Sequence, residues 1–136
     1  HGDAAVDEGV YWESLNFASF HKLPILFVCE NNKYAIYTHQ RKRMLGDSIS
    51  DRANSFGIKS FKVKGISTED FYNAAANSLE KIKKDSDPML IECSTTRWRD
   101  HVGPGEDRHI KFRTDKELDD AIKNDDLKRM EKLFAR

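Results

Sequence analysis

HGDAAVDEGVYWESLNFASFHKLPILFVCENNKY, residues 1–34, is the stretch that decides the fold. It opens on the acidic turn Gly2-Asp3-Ala4-Ala5 and continues as a helix-patterned run to Leu23-Pro24. An apolar strand follows, Ile25-Leu26-Phe27-Val28-Cys29, and the stretch closes on Glu30-Asn31-Asn32-Lys33-Tyr34. The reading is turn, helix, strand, turn, with Asp3 opening the helix and two amides following the strand. In a parallel α/β layer both turns lie along the carboxyl edge of the sheet, where ligands bind. A carboxylate and an amide oxygen brought together there are hard donors suited to Mg²⁺ or Ca²⁺. Free backbone amides at the helix start suit phosphate. Taken alone, Asp3 reads first as a helix cap and Asn31-Asn32 as a turn, because capping and turn residues are common.

The bulk numbers set bounds. A chain of 136 residues fits one domain, residues 1–136, with 115–136 as a helical tail. Hydrophobic residues are 38% and charged residues 34%, the balance of a solvated, charge-rich surface around a core. Lys+Arg and Asp+Glu both number 23, so no global field draws in nucleic acid or acidic lipid. No apolar run reaches the length of a membrane span, and no signal segment is visible at the start. Cys29 and Cys93 each sit in an apolar strand-like run and are expected as buried free thiols, which fits a reducing, cytoplasmic setting.

Outward from the opening stretch, residues 7–21 predict a helix with Asp7 and Glu8 in its first turn, where acids favour the positive end of the dipole. Tyr11, Leu15 and Ala18 share one face, with Val10, Ser14 and Phe17 beside it. The helix is apolar over much of its circumference, so two sides are expected to pack, one on the sheet and the other free for a subunit contact. Residues 34–48 read as irregular, and their basic run Gln40-Arg41-Lys42-Arg43 as a solvated loop, with contact to a phosphate or an acidic partner as the other reading. Ile49 to Phe56 predicts a short helix stopped by Gly57. Ser60 to Lys64 predicts a half-buried strand, and Ser67 caps a helix running to about Lys84. Met89 to Cys93 is the third strand. Helices near 115–123 and 125–135 close the chain. The order αβ, αβ, αβ argues for an α/β fold, a parallel sheet with helices on both faces. The loop Ser94 to Gly105 leaves the carboxyl end of the third strand, a position where loops carry function.

The opening stretch resembles the thiamine-diphosphate motif of the 2-oxo acid dehydrogenase E1 α-subunits, of the pyruvate, branched-chain or acetoin dehydrogenase type. That family carries GDG, a helix, a buried strand, then NN and a tyrosine after one more residue. Asp7-Glu8-Gly9, Glu13-Ser14-Leu15-Asn16, Leu23-Pro24 and Val28-Cys29-Glu30-Asn31-Asn32 sit where the family has them, and Asp3 and Asn32 are 29 positions apart, as there. The last glycine of GDG is here Ala4. That matters only if the position needs a positive φ, where alanine costs about 1 kcal/mol or somewhat more. The resemblance resumes at Arg97-Trp98-Arg99-Asp100-His101-Val102-Gly103-Pro104, whose wording is most like acetoin-dehydrogenase-type chains. The chain as a whole corresponds to the carboxy-terminal part of such a subunit, a partial thiamine-diphosphate-binding fold lacking its amino-terminal strands.

The resemblance implies a site. Asp3, Asn32 and the Tyr34 carbonyl would ligate Mg²⁺. Ala4 and Ala5 would offer backbone amides to the diphosphate, with Arg97 and His101 approaching it from a loop that orders when cofactor binds. His101 would be the catalytic residue. A serine phosphorylated in animal members is Val102 here, so that control is not expected. His21, His39 and His109 are read as surface residues. The implied reaction is oxidative decarboxylation of a 2-oxo acid, or cleavage of acetoin, with the acyl group passed to a lipoyl-bearing acyltransferase E2. The implied assembly is an α2β2 heterotetramer whose β-type E1 subunit completes the active site, so the 136 residues alone are not expected to be a complete catalyst. Two other readings share the pattern. One is a transketolase-like or acetohydroxy-acid-type carbon–carbon ligase, and the other a non-catalytic structural subunit derived from an E1.

Overall fold

In the computed structural model, which describes residues 1–63, 65 and 67–135, the chain forms one three-stranded parallel sheet. Its strands are β1 (Leu26–Asn31), β4 (Lys59–Val63) and β5 (Met89–Ser94), in the spatial order β1-β5-β4. Between β1 and β4 the chain makes a two-stranded antiparallel ribbon, β2 (Tyr34–Ala35) with β3 (Thr38–His39). The helices are α1 (Gly9–Phe20), α2 (Ile49–Asn54), α3 (Thr68–Asp85), α4 (Asp115–Lys123) and α5 (Asp126–Phe134).

The last strand of the sheet to be made lies in its middle. Met89-Leu90-Ile91-Glu92-Cys93 is buried throughout, as a strand covered on both faces must be. The register runs Leu26 with Met89 through Asn31 with Ser94 on one side, and Lys59 with Met89 through Val63 with Cys93 on the other. Alternation then sorts the faces. Leu90 packs with Leu15, Ala53 and Ile58 from α1, α2 and the turn after α2. Ile91 packs with Val63 and Cys93 against Phe71, Ala74 and Ala75 of α3. Helices therefore cover both faces of a parallel sheet, as the sequence order predicts.

Several boundaries differ for local reasons. The opening turn is a 3₁₀ helix, Asp3–Asp7, and Glu8 is extended before α1 begins at Gly9. Asp3 therefore does not cap α1, and Asp7 and Glu8 are not its first-turn acids. The indole N–H of Trp12 donates to the Val6 carbonyl at 2.8 Å and holds this turn on the helix that follows. α1 buries Leu15 and Ala18 while Val10, Phe17 and Phe20 remain exposed. α2 ends at Asn54, and Gly57 follows at φ +76 with Ser19 Oγ 2.8 Å from where a Cβ would stand, so both backbone and space require glycine there. Ser67 caps α3 by accepting from Asp70 N–H, as expected. Lys64, expected at the end of the second strand, and Arg136, at the end of the helical tail, lie outside the described residues. Cys29 and Cys93 are buried free thiols.

Candidate functional site

His1 and Gly2 run beside β1 on the edge opposite β5. The His1 carbonyl accepts from Glu30 N–H at 2.8 Å, and Gly2 bridges Glu30 in the parallel sense. Asp3 thus leaves the sheet one step past Gly2, and Asn32 one step past Asn31, the last residue of β1. Neighbouring strands lie about 4.8 Å apart, so the two segments emerge side by side at the carboxyl edge. This juxtaposition was the geometric content of the sequence motif.

Asp3 is 1% exposed. Its Oδ2 accepts from Arg43 Nη2 at 2.6 Å, and Oδ1 is buried with no hydrogen-bond partner among the described residues. The other arm of Arg43 pairs with Asp7. Ala4 has no positive φ, so the departure from glycine introduces no backbone strain. Ala5 N–H donates to the Gly2 carbonyl at 3.2 Å, closing the turn, and is not available as an anion donor in this conformation. Asn32 Oδ1 accepts from Tyr34 N–H at 2.8 Å, with a second lone pair remaining. The Tyr34 hydroxyl donates to Glu117 at 3.0 Å, and burial together with that bond pushes its pKa up to about 12.

Behind this edge lies a buried polar network. Glu92, fully buried on β5, accepts from Asn31 Nδ2 at 2.8 Å and from Ser50 N–H at 2.9 Å, and its Oε1 lies 3.3 Å from Lys62 Nζ. Asn31 Nδ2 also reaches Gln40 Oε1 at 3.3 Å. A buried carboxylate with donors on both oxygens is fixed in one rotamer. It therefore fixes Asn31, and through it the turn that carries Asn32. Cys29 faces the same side; burial, then the negative charges of Glu92 and Asp3, push its thiol up to about 12. The basic run Gln40–Arg43 is consequently not a solvated loop. Gln40 is 2% exposed, the Arg43 side chain 11%, and only Arg41 and Lys42 face water. His39, read from sequence as a surface histidine, is half-buried and accepts from Arg41 N–H.

The second element is the loop after β5. Arg97 donates to the Ile36 carbonyl at 2.5 Å and lies 3.6 Å from Asp107 Oδ2. Asp107, 1% exposed, also takes Arg113 Nη2 at 2.7 Å, and Arg113 reaches back to the Arg97 carbonyl. Both guanidiniums lie over the Phe112 ring, at 5.8 and 4.9 Å. The loop is thus pinned at its base. Toward the tip, Asp100 N–H donates to the Gly105 carbonyl at 3.0 Å and the Tyr37 hydroxyl to Asp100 at 3.1 Å, but His101 and Val102 are exposed and the His101 side chain makes no hydrogen bond among the described residues. Arg97 and His101, paired in the sequence reading, occupy different settings, one in the buried clamp and one on the exposed tip. A cleft of about 320 Å³ bordered by Asn32, Ser94, Thr95, Glu117 and Asn124 opens beside the Asn31-Asn32 turn, and none of Asp3, Arg97 or His101 lines it.

Comparison with known proteins accords with this geometry. The family model of the dehydrogenase E1 component matches residues 1–135. The chain belongs to the dehydrogenase E1 component family. It is 35% identical over 126 residues to the 2-oxoisovalerate dehydrogenase subunit alpha of Bacillus subtilis, covering 93% of this chain and 38% of that protein. It is 34% identical over 133 residues to a pyruvate dehydrogenase E1 component subunit alpha of Staphylococcus epidermidis, covering 98% and 36%. It is 31% identical over 126 residues to the corresponding subunit of Rickettsia felis, covering 93% and 38%. This E1 chain spans about two-fifths of the length of the curated relatives it matches.

The donor chemistry of the E1 edge fits a hard divalent cation. Asp3 offers a buried carboxylate oxygen with no partner among the described residues, beside an amide oxygen with a free lone pair. Among the described residues no three His, Cys, Asp or Glu side chains converge, so a cation at Asp3 would draw on amide and main-chain oxygens as well. Sequence reading missed Gln40, Arg43, Glu92, Asp107 and Arg113. A lone glutamate inside Met89–Cys93 was a usable signal for Glu92. The others act across 6 to 40 positions of sequence and carry no local pattern. Among the described residues no helix is long and apolar enough to cross a membrane.

Proposed function

We propose that this chain is the cofactor-holding part of an E1 α-type subunit that binds thiamine diphosphate with Mg²⁺. The observation that carries the reading is Asp3 Oδ1, buried and without a partner among the described residues at the carboxyl edge, one strand from Asn32. Asp3, Asn32 and the Tyr34 carbonyl hold the metal, and Ala4 N–H faces the diphosphate. Bound thiamine diphosphate supplies the electron sink for cleaving the carbon–carbon bond beside a ketone. The protein groups fix where that happens. Glu92, through Asn31, keeps the Asn32 turn in place. Arg97 belongs to the clamp that carries the loop, and His101 at the tip donates to the diphosphate once the loop closes over it. The substrate is a 2-oxo acid or acetoin, with the acyl group passed to a lipoyl-bearing E2. A β-type subunit supplies the rest of the active site in an α2β2 assembly. The buried free thiols Cys29 and Cys93 support a reducing, cytoplasmic setting.

The test is calorimetric titration of thiamine diphosphate into the full-length α chain assembled with a β-type subunit, with and without Mg²⁺. Binding that requires Mg²⁺ and disappears in Asp3→Ala is expected. Binding that Asp3→Ala leaves unchanged would remove the proposal.

A further inference from the structure

Arg43 stands in an unusual relation to the metal position. Its guanidinium takes Asp3 Oδ2 at 2.6 Å with one arm and Asp7 with the other, while its Nε donates to the Thr38 carbonyl at 3.2 Å. The Arg43 side chain is 11% exposed and Asp3 1%, so the contact is shielded from solvent. A cation on Asp3 Oδ1, the buried oxygen with no partner among the described residues, would therefore share its carboxylate with the Arg43 guanidinium.

Resting on the cofactor reading above, we infer that Arg43 is a built-in counter-cation that makes divalent-cation binding at Asp3 conditional on the diphosphate. Two effects oppose each other. Arg43 orients Asp3, which helps a metal by fixing one rotamer. It also repels a dication a few ångströms away and neutralises the carboxylate that would attract it. Charge repulsion at that separation in a shielded site outweighs one rotamer. Asp7 adds to this, because without Arg43 two carboxylates would face the metal position unbalanced. The diphosphate brings the negative charge that offsets Arg43, so metal and diphosphate bind strongly only together.

The experiment is a Mn²⁺ titration followed by the paramagnetic resonance of free Mn²⁺, on the full-length chain assembled with a β-type subunit. Inorganic pyrophosphate serves as the diphosphate probe. The wild type is expected to take Mn²⁺ weakly alone and far more tightly with pyrophosphate. Arg43→Gln should tighten Mn²⁺ alone by roughly tenfold or more. The mutual enhancement between the two ligands should shrink by the same factor, since coupling is reciprocal. Arg43→Lys should behave as wild type. Arg43→Gln binding Mn²⁺ alone no better than wild type would overturn the inference and leave Arg43 an orienting group. Should Arg43→Gln fail to fold, Asp7→Asn carries the test with the opposite sign: Mn²⁺ alone weakens and the enhancement grows, and no change overturns it. Failure of the cofactor reading is separate, because then Asp3→Ala alters neither Mn²⁺ nor pyrophosphate binding.

Discussion

The Asp3–Asn32 edge and the His101 loop are built on opposite plans. At the edge, Asp3, Asn31 and Glu92 are 1%, 4% and 0% exposed; Asn31 and Glu92 stand on strands paired in register, and Asp3 is held by Arg43. In the loop the order is concentrated at the base, in Arg97, Asp107 and Arg113, while Val102 at the tip is 80% exposed. On the proposed cofactor reading, the two regions do different work. A metal position must be right within fractions of an ångström before anything binds, and packed strand ends provide that. A group that closes over a cofactor must move, and a loop clamped at its base moves only where it is free.

The largest break should come from the buried network. Glu92→Ala leaves Asn31, Ser50 N–H and Lys62 without their acceptor, and should lower stability by roughly 3–5 kcal/mol, read as the denaturant midpoint of the full-length chain. Asp107→Ala tests the other region. It removes the carboxylate shared by two half-buried guanidiniums and should destabilise by about 2–3 kcal/mol. The loss should register as faster amide hydrogen exchange across residues 97–113 with β1 and β5 unchanged. Equal loosening of the sheet would show that the clamp is not local.

A third region offers a calibrating contrast. Asp126 accepts from Thr68 N–H at 2.7 Å and pairs with Arg129 at 2.5 Å, and the Arg129 and Thr68 hydrogen bonds hold its carboxyl down to about 2. A carboxyl lowered on folding contributes stability above its unfolded pKa and loses it as pH falls through the folded value. Protection of the Thr68 amide should therefore persist to about pH 4 and decline toward pH 2, and Asp126→Asn should abolish that decline. The smallest effect is expected at Ala4. With no positive φ to relieve, Ala4→Gly should lower stability by about 0.5–1 kcal/mol and leave thiamine diphosphate affinity unchanged. A tighter-binding glycine variant would reveal a demand on this backbone that the structure does not show.

The elements were largely legible in the sequence, because β5 reads as one apolar run and α3 as a capped 3.6-residue stripe. The Asp3–Asn32 relation was legible for the same reason, since strand and turn spacing bring the two to one edge. What could not be read was how charges pair across the fold. Arg43 lies in a run whose composition looks solvated, yet it is half of a buried bridge 40 residues from Asp3. Asp107 carries no signal of its own in the sequence, and only the folded loop makes it the centre of a clamp. The 3₁₀ start was hidden too, because Asp3, Asp7 and Glu8 look like a helix cap and first turn until Arg43 claims both aspartates.

The most direct test of this two-part site is hydrogen exchange on the full-length chain with its β-type partner, with and without thiamine diphosphate and Mg²⁺. The account predicts new protection concentrated at residues 98–106, with the backbone of β1, β5 and the Asn31–Tyr34 turn already protected and little altered. Protection gained mainly in β1 and that turn, with the loop unaffected, would contradict it.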